Sequence, residues 1–336
     1  MMIRSKAPLR ISFCGGGTDV KPYLDEKGGC VLSATINRFA YSGLEIGKSK
    51  EISINSMDYD LNLRFGVDQK LIYDGELDLV KAVINHFKIK EGLDMFIHSD
   101  APPGSGLGSS SSLTVALIGL FMRWRKMPLT EYDIAELAYQ IERIEVGIPG
   151  GMQDQYASTF GGVNFIEFSK NKTIVNPLRI NQDVLNELEY SLLLCYTGGS
   201  RMSANIIDKQ VNNYIIKNTQ TIDAMDSLKS LTIEMKDALL QGKLSRFGEC
   251  LDEAWSHKKK MADGITHSKV DEMYSEAKKE GAIGGKLTGA GGGGYLLLFC
   301  KFDKKHKVAA KMVSMGGEIV NFGINLNGVQ TWRTGN

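Results

Sequence analysis

The sequence has no excess of one charge sign. Forty Lys and Arg stand against thirty-nine Asp and Glu over 336 residues, a formal net charge of +1, and no long block of either sign occurs. That excludes the electrostatic footprint of a nucleic-acid-binding chain, so an anionic partner has to be met by a local site. Long apolar runs are also missing: no window approaches the roughly eighteen residues of a membrane span. The start, MMIRSKAPLRISF, has three basic residues but no apolar core of signal length. The expected setting is the cytoplasm, without membrane or nucleic-acid partners and with oligomerisation left open. Cysteine is scarce: Cys14, Cys30, Cys195, Cys250 and Cys300 are odd in number, far apart and form no CxxC pair. They read as reduced thiols rather than a disulfide framework. Fixed-period repeats and disordered tracts are absent as well.

What is present is an ordinary globular composition, 43% hydrophobic and long enough for two domains. LRISF at 9–13 and CVLSATI at 30–36 read as strands, and the polar–apolar alternation over 51–65 as a hairpin. Helical spacing covers 78–87, and LDMFIHS then reads as a strand leading into PPGSGLGSSSS. A helix almost entirely apolar is expected from Ser109, and an amphipathic one from about Glu131 to Val146. After a strand at 162–168, a second half begins near Tyr190. It has long helices across 203–241 and 244–261, a strand YLLLFC, a helix over about 304–315 and two short final strands. The organisation is α+β, with glycine-rich segments at strand ends.

The stretch Pro102–Ser112 carries the first chemistry. A flexible linker would have polar flanks, whereas these glycines follow a strand and the serines open one of the most apolar helices in the chain. Glycine at 104, 106 and 108 lets backbone N–H groups turn inward, and the following helix adds unpaired amides and the positive end of its dipole, a nest suited to phosphate. The competing reading is a tight turn with a serine N-cap. Ser109 to Ser112 offer more hydroxyls than one cap uses, and a hydroxyl there can ligate Mg²⁺ on a nucleotide. No lysine precedes the serines, so this is not a Walker A loop, and GxGxG is not the dinucleotide fingerprint.

ERIEVGIPGGMQD, 142–154, offers two carboxylates suited to holding a metal and taking a proton. The competing readings are an exposed helix residue for Glu142 and an N-cap of QYASTF for Asp154. KLTGAGGGG, 286–294, has five glycines in nine residues before a strand, which favours close backbone approach to a ligand over a plain hairpin. In PLRISFCGGGTD, Arg10 is suited to pairing an acid or a phosphate and Asp19 to accepting hydrogen bonds from sugar hydroxyls.

In the order GGGTD, PPGSGLGSSSS, GIPGGMQDQ, KLTGAGGGG, the chain resembles the GHMP kinases, the superfamily of galactokinase, homoserine kinase, mevalonate kinase and phosphomevalonate kinase, over essentially its full length. APLR at 7–10 and GGGTD at 15–19 stand where galactokinases have APGR and GEHTD. Replacing GEH by GGG removes an acid and a histidine and counts against galactose. RSKAPLRISFCGGGTDV followed by GGCVLSATIN resembles the bacterial D-glycero-D-manno-heptose 7-phosphate kinases among them.

The resemblance implies a two-domain fold: an N-terminal ATP-binding α/β domain (1–185) with a left-handed βαβ crossover, and a ferredoxin-like C-terminal domain (186–336). It implies ATP-dependent, Mg²⁺-dependent phosphorylation of an anomeric sugar hydroxyl, with a sugar phosphate as partner. Asp154 falls on the catalytic aspartate and Arg10 on the basic residue beside it. Pro103, Gly104, Ser105, Gly106, Leu107, Gly108, Ser109 and Ser110 fall on the nucleotide loop. Glu142 with Ser110 would hold the metal. Asp19 falls on the sugar-binding aspartate, with Gly16, Gly17 and Thr18 beside it and Gly289 and Gly291 across the cleft. A phosphorylated acceptor needs a further anion site, for which Arg201 in TGGSRMS is the first candidate. HKKKM at 257–261 is the second, since a lysine run is usually a solvated face. The rivals are a fucokinase- or galactokinase-like enzyme of an unphosphorylated sugar and a non-catalytic sugar or nucleotide sensor; the sensor would be expected to have lost Glu142 and Asp154.

Overall fold

The computed structural model describes residues 2–47, 49–199 and 203–335. Strands β1 (Met2–Cys14) and β2 (Gly29–Ile46) flank the short helix α1 (Tyr23–Lys27) and are much longer than their apolar centres suggest. The hairpin β3 (Glu51–Ser56) and β4 (Leu61–Gly66) follows, then α2 (Asp78–His86), β5 (Leu93–Ser99), α3 (Ser109–Arg125), α4 (Glu131–Tyr139) and α5 (Gln153–Phe160). A second hairpin, β6 (Val163–Ser169) and β7 (Lys172–Pro177), closes this half. With the last strand of the chain, β12 (Gln330–Thr334), these strands form one sheet in the order β12-β1-β2-β5-β3-β4, with β6 beside β2 and β7 beside β6. The crossover runs from β3 through β4 and α2 to β5, and β3 and β5 are parallel neighbours. The long β2 makes this possible: its first part pairs with β6 and its last part with β5.

Past α6 (Gln182–Ser191) come β8 (Leu192–Tyr196), the helices α7 (Ser203–Ile215), α8 (Thr219–Leu240), α9 (Leu244–Lys258) and α10 (Ser268–Glu280), then β9 (Ala282–Leu287), β10 (Tyr295–Cys300), α11 (Lys305–Ser314) and β11 (Glu318–Val320). The second sheet is antiparallel in the order β11-β8-β10-β9. With β8 and β9 joined by helices, β9 and β10 adjacent, and α11 leading to β11, this is the ferredoxin-like arrangement. The last strand, β12 (Gln330–Thr334), crosses back and pairs with β1 in the first sheet. The two final strands therefore serve different sheets, and the expected division at 185 is crossed once.

One apolar core runs through both halves. Phe13 of β1 meets Phe247 of α9 edge to face at 5.2 Å, and Leu193, Leu297 and Trp255 pack into the same cluster. Each such fully buried large side chain contributes about 1.5–3 kcal/mol relative to exposure, which fixes the halves face to face. The helix α3 is buried on nearly every side, as its composition demands, and lies against β1 and β2. All five cysteines are free and buried.

Two helices depart from the sequence expectation. The run over 131–146 is regular only to Tyr139; Gln140–Glu145 is a π-helical turn. The stretch 203–241 is interrupted after Ile215, where the Asn218 side chain accepts from the Thr221 amide and starts α8 afresh.

Candidate functional site

A cleft of about 420 Å³ lies between the halves. Its walls come from the GGG turn after β1, the 103–110 loop, the 143–154 segment, the helices α7 and α9, and the 289–290 turn.

The 103–110 loop is built by glycine. Gly104, Gly106 and Gly108 have φ of 73°, 89° and 74°, in the left-handed region that glycine enters without strain. Gly108 is the N-cap of α3, so the serine-cap alternative fails, and among the described residues the first amides of α3 have no side-chain acceptors. The serines are used elsewhere. Ser109 donates to the Pro102 carbonyl (3.4 Å), Ser110 to Glu142 Oε1 (2.8 Å), Ser111 to Glu142 Oε2 (2.6 Å) and Ser112 to the Pro8 carbonyl (2.9 Å). A Cβ on Gly106 would lie 2.5 Å from the Thr288 carbonyl oxygen, so the two glycine-rich loops, one from each half, pack backbone to backbone.

Glu142 is completely buried, which overturns the exposed-helix alternative for it. The π-helical turn places it beneath α3, where its carboxylate also accepts from Gln155 Nε2 (2.6 Å) and pairs with Arg143 at 3.2 Å. A carboxylate beside a serine hydroxyl is a hard oxygen pair of the kind that holds Mg²⁺ together with substrate phosphates. No cluster of three or more His, Cys, Asp and Glu occurs among the described residues.

Asp154 lies in the first turn of α5, whose N-cap is Met152, so the capping alternative fails. It faces Arg10, which is 3% exposed: Arg10 Nε and Nη2 each approach Asp154 Oδ1 at 2.6 Å, and Nη1 donates to the Gly106 carbonyl at 2.6 Å. One guanidinium thus ties the acid to the glycine loop. Asp19 is nearly fully buried and accepts from the Gly17 amide (2.8 Å), the Gln153 amide (3.1 Å) and Gln153 Nε2. The carbonyls of the GGG turn are held from the other half: Lys258 donates to Gly16 (2.9 Å) and Gln210 to Gly17 (3.1 Å), while Lys286 donates to the Ser12 carbonyl (2.8 Å). Burial lowers Lys258 to about 8, against the pull of Asp19. Lys286 is lowered to about 7 by burial, with Lys258 and Arg10 adding to the effect.

Of the residues singled out in the sequence, Arg10, Gly16, Gly17, Asp19, Pro103, Gly104, Gly106, Gly108, Ser109, Ser110, Asp154 and Gly289 line the cleft, with Glu142 behind Ser110. Four stand off it. The Ser105 side chain is buried with no partner among the described residues, and the Leu107 carbonyl accepts from the Arg10 amide. The Thr18 hydroxyl donates to the Gly15 carbonyl, and Gly291 packs on Ile265. Arg201 lies outside the described residues; Ala204 and Ile207, which follow it, line the cleft. The lysine run is not uniformly solvated: Lys258 is buried while Lys259 and Lys260 are exposed. Sequence reasoning missed Arg143, Gln155 and Gln210. Only Arg143, next to Glu142, carried a positional signal.

Chemically, the cleft places an acid–guanidinium pair beside an amide-rich loop and a carboxylate–hydroxyl pair, an arrangement suited to moving a phosphoryl group onto a hydroxyl. Two family models match the chain, "GHMP kinases N terminal domain" over residues 78–162 and "GHMP kinases C terminal" over 235–317. A D-glycero-alpha-D-manno-heptose 7-phosphate kinase of Campylobacter jejuni is 37% identical, across 98% of this chain and 99% of its own length. A crystal structure titled as a D-glycero-D-manno-heptose 1-phosphate kinase from Bacteroides thetaiotaomicron superposes with a TM-score of 0.84 at 34% identity, covering 99% of this chain and 100% of that one. A bifunctional fucokinase/GDP-fucose pyrophosphorylase of Arabidopsis thaliana is 27% identical over 89% of this chain and 30% of its own length.

Proposed function

The chain belongs to the GHMP kinases and is a sugar kinase, and on that premise we propose that it transfers the γ-phosphoryl group of ATP to the anomeric hydroxyl of D-glycero-D-manno-heptose 7-phosphate. The product is the 1,7-bisphosphate, a precursor for nucleotide-activated heptose made in the cytoplasm. The observation that carries this reading is the Arg10–Asp154 pair bonded to the Gly106 carbonyl of the glycine loop, in a chain alike from end to end to a heptose 7-phosphate kinase.

In this reading residues 1–185 hold the nucleotide and 186–336 complete the acceptor side. The amides of 104–110 and the first turn of α3 receive the triphosphate. Glu142 and Ser110 would hold Mg²⁺, which when bound supplies charge neutralisation on the phosphates. Asp154 accepts the proton of the C1 hydroxyl as that oxygen bonds to the γ-phosphorus, and the bond from that phosphorus to the β–γ bridging oxygen breaks to leave ADP. Arg10 keeps the Asp154 carboxylate oriented, and Asp19 accepts from sugar hydroxyls. Arg201, outside the described residues, is the proposed partner of the sugar phosphate.

The two heptose kinase relatives are named for different phosphate positions, so the acceptor is tested directly. A coupled ADP-release screen offers heptose 7-phosphate, mannose, fucose and galactose. Turnover confined to heptose 7-phosphate is the expected result. Turnover with an unphosphorylated sugar and none with the phosphosugar overturns the assignment in favour of a fucokinase-like activity, and turnover with none of the four supports a sensor.

A further inference from the structure

One charged group of the cleft, in the run that the sequence offered only as a second anion-site candidate, has no role in the proposed reaction. Lys258, at the end of α9, is 5% exposed and lines the cleft wall contributed by the C-terminal half. Its ammonium carries three donors. Among the described residues it has a single hydrogen-bond partner, the Gly16 carbonyl at 2.9 Å, and forms no ion pair. Burying an ammonium against one neutral carbonyl is unfavourable unless more acceptors arrive. A purely structural tie to Gly16 would be made as well by a neutral donor, as Gln210 of α7 does for the Gly17 carbonyl at 3.1 Å.

The surroundings say where the missing acceptors belong. Lys258 and Gln210 approach the turn that carries Asp19, whose negative charge favours the Lys258 ammonium. Neither residue bonds to the 103–110 loop. The cleft therefore has a carboxylate acceptor on its N-terminal side and an ammonium with spare donors on its C-terminal side, a combination that reads the donor and acceptor faces of a polyhydroxylated molecule. We propose that Lys258 donates hydrogen bonds to hydroxyl or ring oxygens of the acceptor sugar opposite Asp19, with Gln210 beside it, and so determines acceptor specificity. The inference rests on the kinase reading but not on which sugar is phosphorylated.

The test starts with the wild-type enzyme and whichever sugar it phosphorylates best, so that failure of the heptose assignment stays separate. At saturating ATP, Lys258→Met is expected to raise the acceptor KM about 10- to 100-fold, as loss of a charged hydrogen bond does, with the KM for ATP within about twofold of wild type. Lys258→Arg, which keeps charge and donors, should recover part of the loss. An unchanged acceptor KM in folded Lys258→Met, or equal rises in both KM values, overturns the proposal. Should Lys258→Met fail to fold, the wild-type protein decides: acetylation of Lys258, followed by mass spectrometry, is slowed severalfold by the acceptor and not by ATP. Equal rates with and without acceptor overturn it.

Discussion

Replacing Glu142 by Gln separates two tasks that the same carboxylate would perform. In the protein as it stands, four donors converge on it: the hydroxyls of Ser110 and Ser111, Gln155 Nε2 and the Arg143 guanidinium. A glutamine amide has one oxygen and turns an NH₂ group toward the remaining donors, so about two of the four lose their acceptor in a fully buried place. Each buried donor so stranded costs about 1–3 kcal/mol, and uncoupling the buried Arg143 partner brings the sum to roughly 3–5 kcal/mol. On the scale of a large domain that is a fall in Tm of roughly 6–10 °C, read by circular dichroism without nucleotide. The second task is metal binding, read by ADP release across a Mg²⁺ titration, where the variant should lose about 100-fold or more in kcat/KM and need more Mg²⁺ for half-activation. A Tm within about 1 °C of wild type would refute the donor count. A wild-type Mg²⁺ dependence would refute the ligand role even if the protein melts earlier.

Asp154→Asn should lower kcat about 10²- to 10⁴-fold, the range for removing a general base, while the Arg10 bond to the Gly106 carbonyl persists and the fold survives; near-normal turnover sinks the assigned role. Gly106→Ala forces a side chain to φ 89° and brings its Cβ to 2.5 Å from the Thr288 carbonyl. Strain of about 1–2 kcal/mol plus separation of the two glycine loops should raise the ATP KM at least tenfold, and an unaltered ATP KM would show that the loop contact is dispensable. Lys286 is about 7 when folded and 10.5 when free, so between those values the unfolded chain binds the extra proton and this residue destabilises the protein less and less as pH rises. The Tm advantage of Lys286→Met over wild type should therefore shrink between about pH 6.5 and pH 9; buried Cys30, raised to about 12, works in the opposite direction in both proteins above about pH 9 and cancels from the difference. A gap that does not change with pH would mean that the Lys286 ammonium is not held at a disadvantage by the fold.

The glycine loops were legible because their signal is local. Only glycine takes positive φ without strain, and GxGxG between a strand and an apolar helix restricts the backbone before any contact is known. The hairpin over 51–65 and the buried α3 followed from period and composition in the same way. Three features depended on distant partners. The apolar spacing of 131–146 continues through the π-helical turn, so the sequence carries no mark of the shift that buries Glu142. HKKKM looks solvated because the turn that covers Lys258 lies some 240 residues earlier in the chain. The β12 pairing with β1 joins the two ends, and nothing in QTWRT names its neighbour. Among the serines, the helix phase decides which hydroxyls face Glu142, and it selects Ser111 as well as the expected Ser110.

The charges of the cleft bear on how a triphosphate is bound. Among the described residues, Arg10, Arg143 and Lys258 bring three cations to the cleft lining and Asp19 and Asp154 two carboxylates, with Glu142 a third behind Ser110, so these groups have no net charge to offer a polyanion. Two of the cations are already engaged, Arg10 with Asp154 and Arg143 with Glu142, and the third stands by the Asp19 turn. For these groups, attraction for phosphate then falls to the backbone, above all to the uncapped start of α3, whose partial positive charge amounts to roughly half an elementary charge. That is too little to balance a triphosphate alone, and the remainder fits a divalent cation held by Glu142 and Ser110 and arriving with the nucleotide. On the proposed reading, the absence of a lysine from the loop and the burial of a carboxylate behind it go together: where a Walker loop carries its cation in a side chain, Glu142 would keep an anion in place to receive one.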